Sequence, residues 1–266
     1  MSQVAWDAGQ YLKFGGQRTQ PSRDLLARVP LAAPRRVIDL GCGPGNSTDL
    51  LAQRWPDAEV TGVDSSHEML AQARRDYPAL RWIEADIAAL PPDGAHDLVF
   101  SNAAFQWVPD HARVFPALFD ALPPGGVLAV QMPRNFDAPS HALLRETAAS
   151  PRWAARMPGE TRAFPVGEPG FYYDLLAPRA AYLDIFEIEY LHVMDGPEGI
   201  VEWMKGTGLR PYLQRLEEAE QGAFLESFLE KLARAYPRRS DGKVLFPFRR
   251  LFLLASRQRG AESTSC

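Results

Sequence analysis

Within ten residues, Val37 to Asn46, the sequence sets a carboxylate, Asp39, ahead of three glycines at alternate positions, Gly41, Gly43 and Gly45. Glycines spaced this way let a backbone turn sharply and let a ligand lie against it without meeting a Cβ. Asn46 and Asp49 read as the capped start of a helix, whose free N–H groups would point at whatever lies over the glycines. A tight turn without a ligand is the plainer reading of the same residues. The G-x-G-x-G spacing departs from a dinucleotide fingerprint, because Asn46 stands where the third fingerprint glycine would be. No Gly-Lys-Ser/Thr follows, as a phosphate-cradling loop requires. The pattern therefore argues against a pyrophosphate and for another nucleoside.

Three polar positions further along extend that chemistry. Asp64 lies 19 residues beyond Gly45, near the roughly 20-residue interval at which an acidic residue receives ribose hydroxyls. Asp86 can accept the exocyclic N–H of an adenine while Ile87 covers the ring, or it can cap the turn that follows. Asn102 and Trp107 bracket a short loop.

The elements that position these residues alternate. Val37–Leu40 suits a strand buried on both faces, and Glu59–Asp64, Leu80–Ile87, His96–Asn102 and Val127–Met132 read as four more. Helices are expected between them, the second opened by a Ser65 to Glu68 capping box. Strand-helix alternation implies a parallel, doubly wound α/β sheet, whose ligands bind beyond the carboxyl ends of the strands. After Met132 the pattern changes. Residues 133 to about 180 are rich in Pro, Arg and aromatics, as an inserted cap would be. A strand at Ile185–His192, helices at 197–205 and 211–236, and a last strand at Val244–Ala255 follow.

The chain has 266 residues, 46% of them hydrophobic, enough for a large core and for one domain with an inserted cap. A net charge of −4 supplies no broad basic field, which argues against a nucleic-acid partner. Two cysteines, Cys42 and Cys266, cannot form a disulfide framework and suit a reducing compartment, so a cytoplasmic location is expected. The N-terminus has no signal-like apolar core, and no run approaches the roughly 18 apolar residues of a membrane span, so a soluble protein is expected.

The run Asp39-Leu40-Gly41-Cys42-Gly43-Pro44-Gly45 resembles the first motif of the class I S-adenosylmethionine-dependent methyltransferases, (D/E)-x-G-x-G-x-G, with Asp39 at the acidic position. Taken with Tyr11–Phe14, Asp64–Ser66, Glu84–Ile87, Asn102–Trp107, Gln131–Pro133, Thr207–Pro211 and Arg250–Phe252, it is similar to the trans-aconitate 2-methyltransferase family. Two departures are Arg134, where an acidic or neutral residue is expected, and the extra basic residue Arg249 before Arg250.

The resemblance implies a Rossmann-like, mostly parallel seven-stranded sheet with a helical cap insertion, the last strand antiparallel beside the fifth. It divides the chain into an N-terminal helical segment over the cofactor site (1–34), a cofactor-binding core (35–132) and a substrate cap with strands completing the sheet (133–266). S-adenosylmethionine would be held by Tyr11, Asp39, Gly41, Gly43, Asn46, Asp64, Ser65, Asp86, Ile87, Asn102, Gln106 and Trp107. A small polycarboxylate would be held by Arg18, Tyr172, Thr207, Arg210 and Arg250, arginine being suited because its planar fork bonds both carboxylate oxygens. Arg249 and Arg250 are adjacent on a strand and point to opposite faces, so only one can serve the pocket. Tyr173 and His192 could also donate to the substrate, although tyrosines in aromatic-rich segments serve more often as packing.

No general base is required, since a carboxylate is already ionised at pH 7. No metal is expected, and the chain is expected to be a monomer or a weak homo-oligomer. Other readings are a methyltransferase for another small acceptor, a non-catalytic S-adenosylmethionine-binding module, and a nicotinamide-dependent oxidoreductase, the last disfavoured by Asn46.

Overall fold

The computed structural model describes residues 15–89, 94–157, 165–206 and 208–259. Tyr11 and Thr207 lie outside the described residues, as does the side chain of Arg18. In chain order the elements are α1 (Gly15–Arg28), β1 (Arg36–Leu40), α2 (Asn46–Arg54), β2 (Glu59–Asp64), α3 (His67–Asp76), β3 (Arg81–Glu84) and β4 (Leu98–Asn102). A 3-10 turn (Phe105–Trp107), α4 (His111–Asp120), β5 (Val127–Pro133), α5 (Pro139–Ala148), α6 (Pro169–Leu176) and β6 (Tyr182–Met194) follow. The order ends with α7 (Pro197–Lys205), α8 (Arg210–Leu213), α9 (Glu218–Ala235) and β7 (Val244–Ser256).

The seven strands form one sheet in the order β3-β2-β1-β4-β5-β7-β6. β1 to β5 run parallel, and β7 runs antiparallel between β5 and β6. From β1 the chain first winds toward β3 and then returns to β4 and beyond, so the winding reverses between β1 and β4. That reversal opens a crevice at the carboxyl ends of the strands.

Strand periodicity sorts the core. On one face α1 and α2 cover Val37, Val60, Leu98, Phe100, Val127, Ala129, Phe252 and Leu254. On the other, α4 and α6 pack over Ile38, Leu40, Val63, Val99, Leu128, Val130, Leu251 and Leu253. A separate apolar cluster joins α5, α7 and α9 through Leu144, Trp203, Phe224 and Phe228 to the upper ends of β6 and β7, at Met194, Phe246 and Phe248. This helical layer is a second core built on the two longest strands.

Several local expectations are corrected. The helix expected over 211–236 is two, α8 and α9, with Leu216 drawn into the cap between them. Gln221 Nε2 donates to the carbonyls of Leu213 and Leu216 at that break. β3 stops at Glu84 rather than Ile87, because Asp86 turns the chain by accepting the N–H of Ala88 at 2.9 Å. The cap of α3 is Ser66, not Ser65: its hydroxyl accepts the N–H of Met69 at 3.3 Å and donates to Glu68. α2 begins after Gly45 at φ 93°, without a side-chain cap from Asn46 or Asp49. Within the segment read as cap, α6 instead belongs to the main core through Tyr172 and Leu176.

Candidate active site

The glycine loop is laced to the end of β2. The Val63 carbonyl accepts the N–H groups of Gly41 at 2.8 Å and Cys42 at 3.0 Å, and Asp64 Oδ2 accepts that of Gly43 at 2.9 Å. The amides of Gly41, Cys42 and Gly43 are therefore spent in tying the loop to β2. What the glycines provide is space. A Cβ on Gly41 would lie 2.1 Å from Ala104 Cβ and 3.6 Å from Ile87, whereas one on Gly43 would meet nothing within 4 Å. Gly41 thus closes the loop against β4 and Ile87, and Gly43 faces open space.

Asp39 is wholly buried beneath the loop. Its Oδ2 accepts hydrogen bonds from Ser47 Oγ at 2.6 Å and Thr48 Oγ1 at 2.7 Å, which fixes the first turn of α2 to β1. Its Oδ1 is buried without a partner. Burial raises its pKa to about 6, against the pull of the two hydroxyls. Asp64 is half-buried, and burial raises its pKa too, offset by the N–H groups of Ser66, Gly43 and Ser65. Asp86 is exposed and caps its own turn, while the adjacent Ile87 reaches the loop.

Asn102 ends β4 with its Oδ1 buried and unpartnered, and Ala103 turns the chain at φ 56°. Gln106 ties the next turn back, Nε2 donating to the Ala103 carbonyl at 2.6 Å. Trp107 is half-buried beside it. Behind that turn His111 bridges Phe105 O at 2.9 Å and Tyr172 Oη at 2.7 Å, and the Tyr172 oxygen accepts the Gly167 N–H at 3.1 Å. Tyr172 is fully buried with its hydroxyl committed, so the structure places it in the core.

One geometric rule unites the rest. Residues two apart on a strand share a face, and on the face covered by α1 and α2 the apolar residues give way to polar ones toward the crevice. Val37 is followed by Asp39, Val60 and Gly62 by Asp64, Phe100 by Asn102, and Ala129 by Gln131. On the antiparallel β7, Phe252 gives way in the same direction to Arg250. Arg250 is only 4% exposed; its Nη1 donates to Gln131 Oε1 at 3.2 Å and its guanidinium lies 4.6 Å from the centre of the Phe248 ring. Arg249 is exposed on the opposite face, as strand alternation requires.

On β6, on the Arg250 side, Tyr190 donates to Asp24 of α1 at 2.6 Å. His192 stands among Trp203, Phe246 and Phe248 with Nε2 buried and unpartnered. Burial and the Arg250 charge lower its pKa to about 4, so its imidazole is neutral at pH 7. Arg210 opens the four-residue α8, half-buried, with Leu209 before it anchored in the cap core. Arg134 is a tie rather than a site residue, joining Glu168 at 2.7 Å and Glu187 at 2.6 Å.

In the sequence Gln131 figures only within the resemblance segment Gln131–Pro133, with no role of its own. The available signal was one amide inside the otherwise apolar run Val127–Met132.

The orphaned Asp39 and Asn102 oxygens, the half-buried Asp64 and the open space at Gly43 gather at the carboxyl ends of β1, β2 and β4, where doubly wound sheets bind their ligands. Residues 37–126 match a methyltransferase domain family. Solved structures of the same fold include the YcgJ protein of Bacillus subtilis, TM-score 0.57 and 15% identity over 91% of this chain and 100% of that one. Another is a Haemonchus contortus phosphoethanolamine N-methyltransferase in complex with S-adenosylhomocysteine, TM-score 0.54 and 17% identity over 90% of this chain and 53% of that one. Similarity in sequence is far higher to the trans-aconitate 2-methyltransferase of Azoarcus sp. (strain BH72), 54% identical over 95% of this chain and 99% of that protein. The Rhodopseudomonas palustris (strain BisB18) protein of the same name is 52% identical over 94% and 98%. With identity of this order sustained over nearly its whole length, the chain belongs to the trans-aconitate 2-methyltransferase family.

Proposed function

We propose that this protein methylates a carboxylate of trans-aconitate, giving a monomethyl ester. The observation that carries the reading is the buried Arg250 guanidinium, on the same sheet face as the crevice and one strand beyond Gln131. A buried arginine with its fork near a cofactor crevice suits a planar anion, since guanidinium and carboxylate match in geometry.

S-adenosylmethionine supplies the electrophilic methyl group. Asp64 would receive the ribose hydroxyls, Ile87 would cover the adenine, and Asp39 and Asn102 would offer acceptors toward the amino-acid end; we assign Tyr11, Ser65, Asp86, Gln106 and Trp107 to the same cofactor. Gly41 and Gly43 keep side chains out of the way, and Asn46 begins the helix beneath. Arg250 clamps a carboxylate that does not react, with Arg18, Thr207 and Arg210 offering further donors from α1 and the cap. No side chain has to remove a proton, because the acid is already ionised near neutral pH. The protein's contribution is alignment and the exclusion of bulk water, which favours a step that consumes opposite charges.

Among the described residues no helix is long and apolar enough to cross a membrane. The buried free thiol of Cys42 supports a reducing, cytoplasmic setting, and we take the working form to be a monomer or weak homo-oligomer.

The test is incubation with S-adenosylmethionine and trans-aconitate, cis-aconitate, citrate, isocitrate, phenols or amines, with products read by mass spectrometry. Ester formed chiefly from trans-aconitate is expected. Cofactor binding with methylation of a phenol or amine alone, or no methylation at all, would overturn the substrate assignment.

A further inference from the structure

Gln131 sits toward the carboxyl end of β5, fully buried in a strand whose every residue is buried. A side-chain amide there gives up its hydration and is retained at a loss unless its polar atoms find partners. One of them has. Gln131 Oε1 accepts the Arg250 Nη1 hydrogen, and because arginine only donates, the orientation of the amide follows from that contact. The Nε2 group is thereby turned away from Arg250, and it is buried without an acceptor. In register, Gln131 pairs with Asn102 on β4, whose Oδ1 is the other unpartnered atom of this stretch. Gln131 therefore stands between the strand that closes the cofactor crevice and the strand that carries the buried cation.

We infer that Gln131 is a catalytic residue whose Nε2–H holds the reacting carboxylate, while Arg250 holds a different carboxylate of the same acid. The inference rests on the polycarboxylate reading above and deepens it. As the ester forms, one carboxylate oxygen makes the new O–C bond. The C–S bond of the sulfonium breaks with its electron pair staying on sulfur, and no proton moves. The carboxylate thus loses its negative charge. A guanidinium on that carboxylate would stabilise the ground state more than the transition state and so oppose the reaction. A neutral amide donor on the other, non-attacking oxygen fixes the carboxylate at a smaller penalty, remaining bonded to that oxygen as it becomes the ester carbonyl. The Arg250–Gln131 hydrogen bond makes the two functions one unit: the residue that binds the acid also aims the donor that orients its reactive end.

The test compares wild type with Gln131→Leu and Gln131→Glu. Three readouts are needed: kcat, the ratio of monoester isomers by NMR, and the trans-aconitate Kd by calorimetry on protein loaded with S-adenosylhomocysteine, where no turnover occurs. Loss of the donor in Gln131→Leu should lower kcat by about tenfold or more, shift the isomer ratio, and change Kd by no more than about threefold. Gln131→Glu should instead weaken acid binding strongly, because a carboxylate then occupies Arg250 and repels the substrate. Gln131→Met replaces the leucine variant if that fails to fold. An unchanged kcat and isomer ratio in Gln131→Leu, with wild type still making ester, would overturn this inference alone. Wild-type protein that binds cofactor but makes no ester from any acid would remove it together with the substrate reading.

Discussion

The halves of the crevice that we assign to cofactor and to substrate are built in opposite ways. Around β1 and β2 the polar groups come from a short stretch of chain: Asp39, the glycines, Ser47 and Thr48 lie within ten residues of one another, and Asp64 closes the loop by a direct hydrogen bond. Around β5 to β7 each group arrives alone. Gln131 and Arg250 touch across 119 residues of sequence, and Tyr190 meets Asp24 across 166. A local construction can stay the same while the distant one is replaced, which is how one sheet serves many methyl acceptors.

Independent halves should fail independently, and the largest effects lie there. Asp64→Ala removes the acceptor that laces Gly43 and Ser66, and should weaken S-adenosylmethionine binding about 10- to 100-fold, as expected for two charge-assisted hydrogen bonds less their partial replacement by water. Arg250→Met keeps an unbranched stem over Phe248 and removes the charge. It should raise the trans-aconitate KM by about 100-fold, the value of one buried bidentate ion pair, with cofactor Kd changed less than about twofold. Calorimetry for cofactor and initial rates for acid separate the two. A cofactor Kd that rises in both variants would break the comparison.

A pH effect belongs to the cofactor half alone. Asp39 titrates near 6 because it is buried, above its unfolded value of 3.8. The folded state then binds the proton more tightly than the unfolded one. The stabilisation is complete below about 3.8 and is lost as pH rises through 6, amounting to about 3 kcal/mol in all. His141 and His192, lowered to about 4 by burial, act in the opposite sense, losing stability as pH falls below 6.5. The difference between wild type and Asp39→Asn isolates the aspartate. In cofactor-free protein, the Tm of Asp39→Asn relative to wild type should climb between pH 4 and 6 and level off above. A flat difference would mean that the carboxylate is solvated.

The same contrast explains what could be read from the sequence. The strand-helix alternation, Asp39 beside the glycine loop and the opposite facing of Arg249 and Arg250 follow from periodicity and local spacing, whereas the antiparallel β7 came from the family resemblance alone. Gln131 did not stand out, because its role depends on β7 arriving beside β5, which no local pattern encodes. The two-helix break at Leu216 was hidden for a similar reason: the apolar spacing continues through it, and only the cap core decides where Leu216 goes. The lacing of the glycine loop to β2 was hidden as well, because the Val63 carbonyl and Asp64 that take the Gly41, Cys42 and Gly43 N–H groups lie on another strand.

Tyr172 gives the smallest expected effect and the sharpest boundary between site and core. An aromatic hydroxyl in a cap-like segment invited a substrate role, yet the side chain is buried from α6 against α4, its ring tilted against His111 and Phe115 and edge-on to Phe171. Its oxygen joins the His111 imidazole to the Gly167 N–H, a chain that braces the Phe105 turn from behind. Tyr172→Phe keeps the ring packing and removes only the shared oxygen, leaving His111 Nδ1 and the Gly167 amide to find water. The loss should be about 1–2 kcal/mol of stability, read as a lower Tm. The KM for trans-aconitate should stay within about twofold, because nothing that faces the crevice has changed. A KM that rises severalfold at unchanged Tm would move Tyr172 back among the residues that meet the acid, and would mean that α6 shifts toward the crevice when substrate binds.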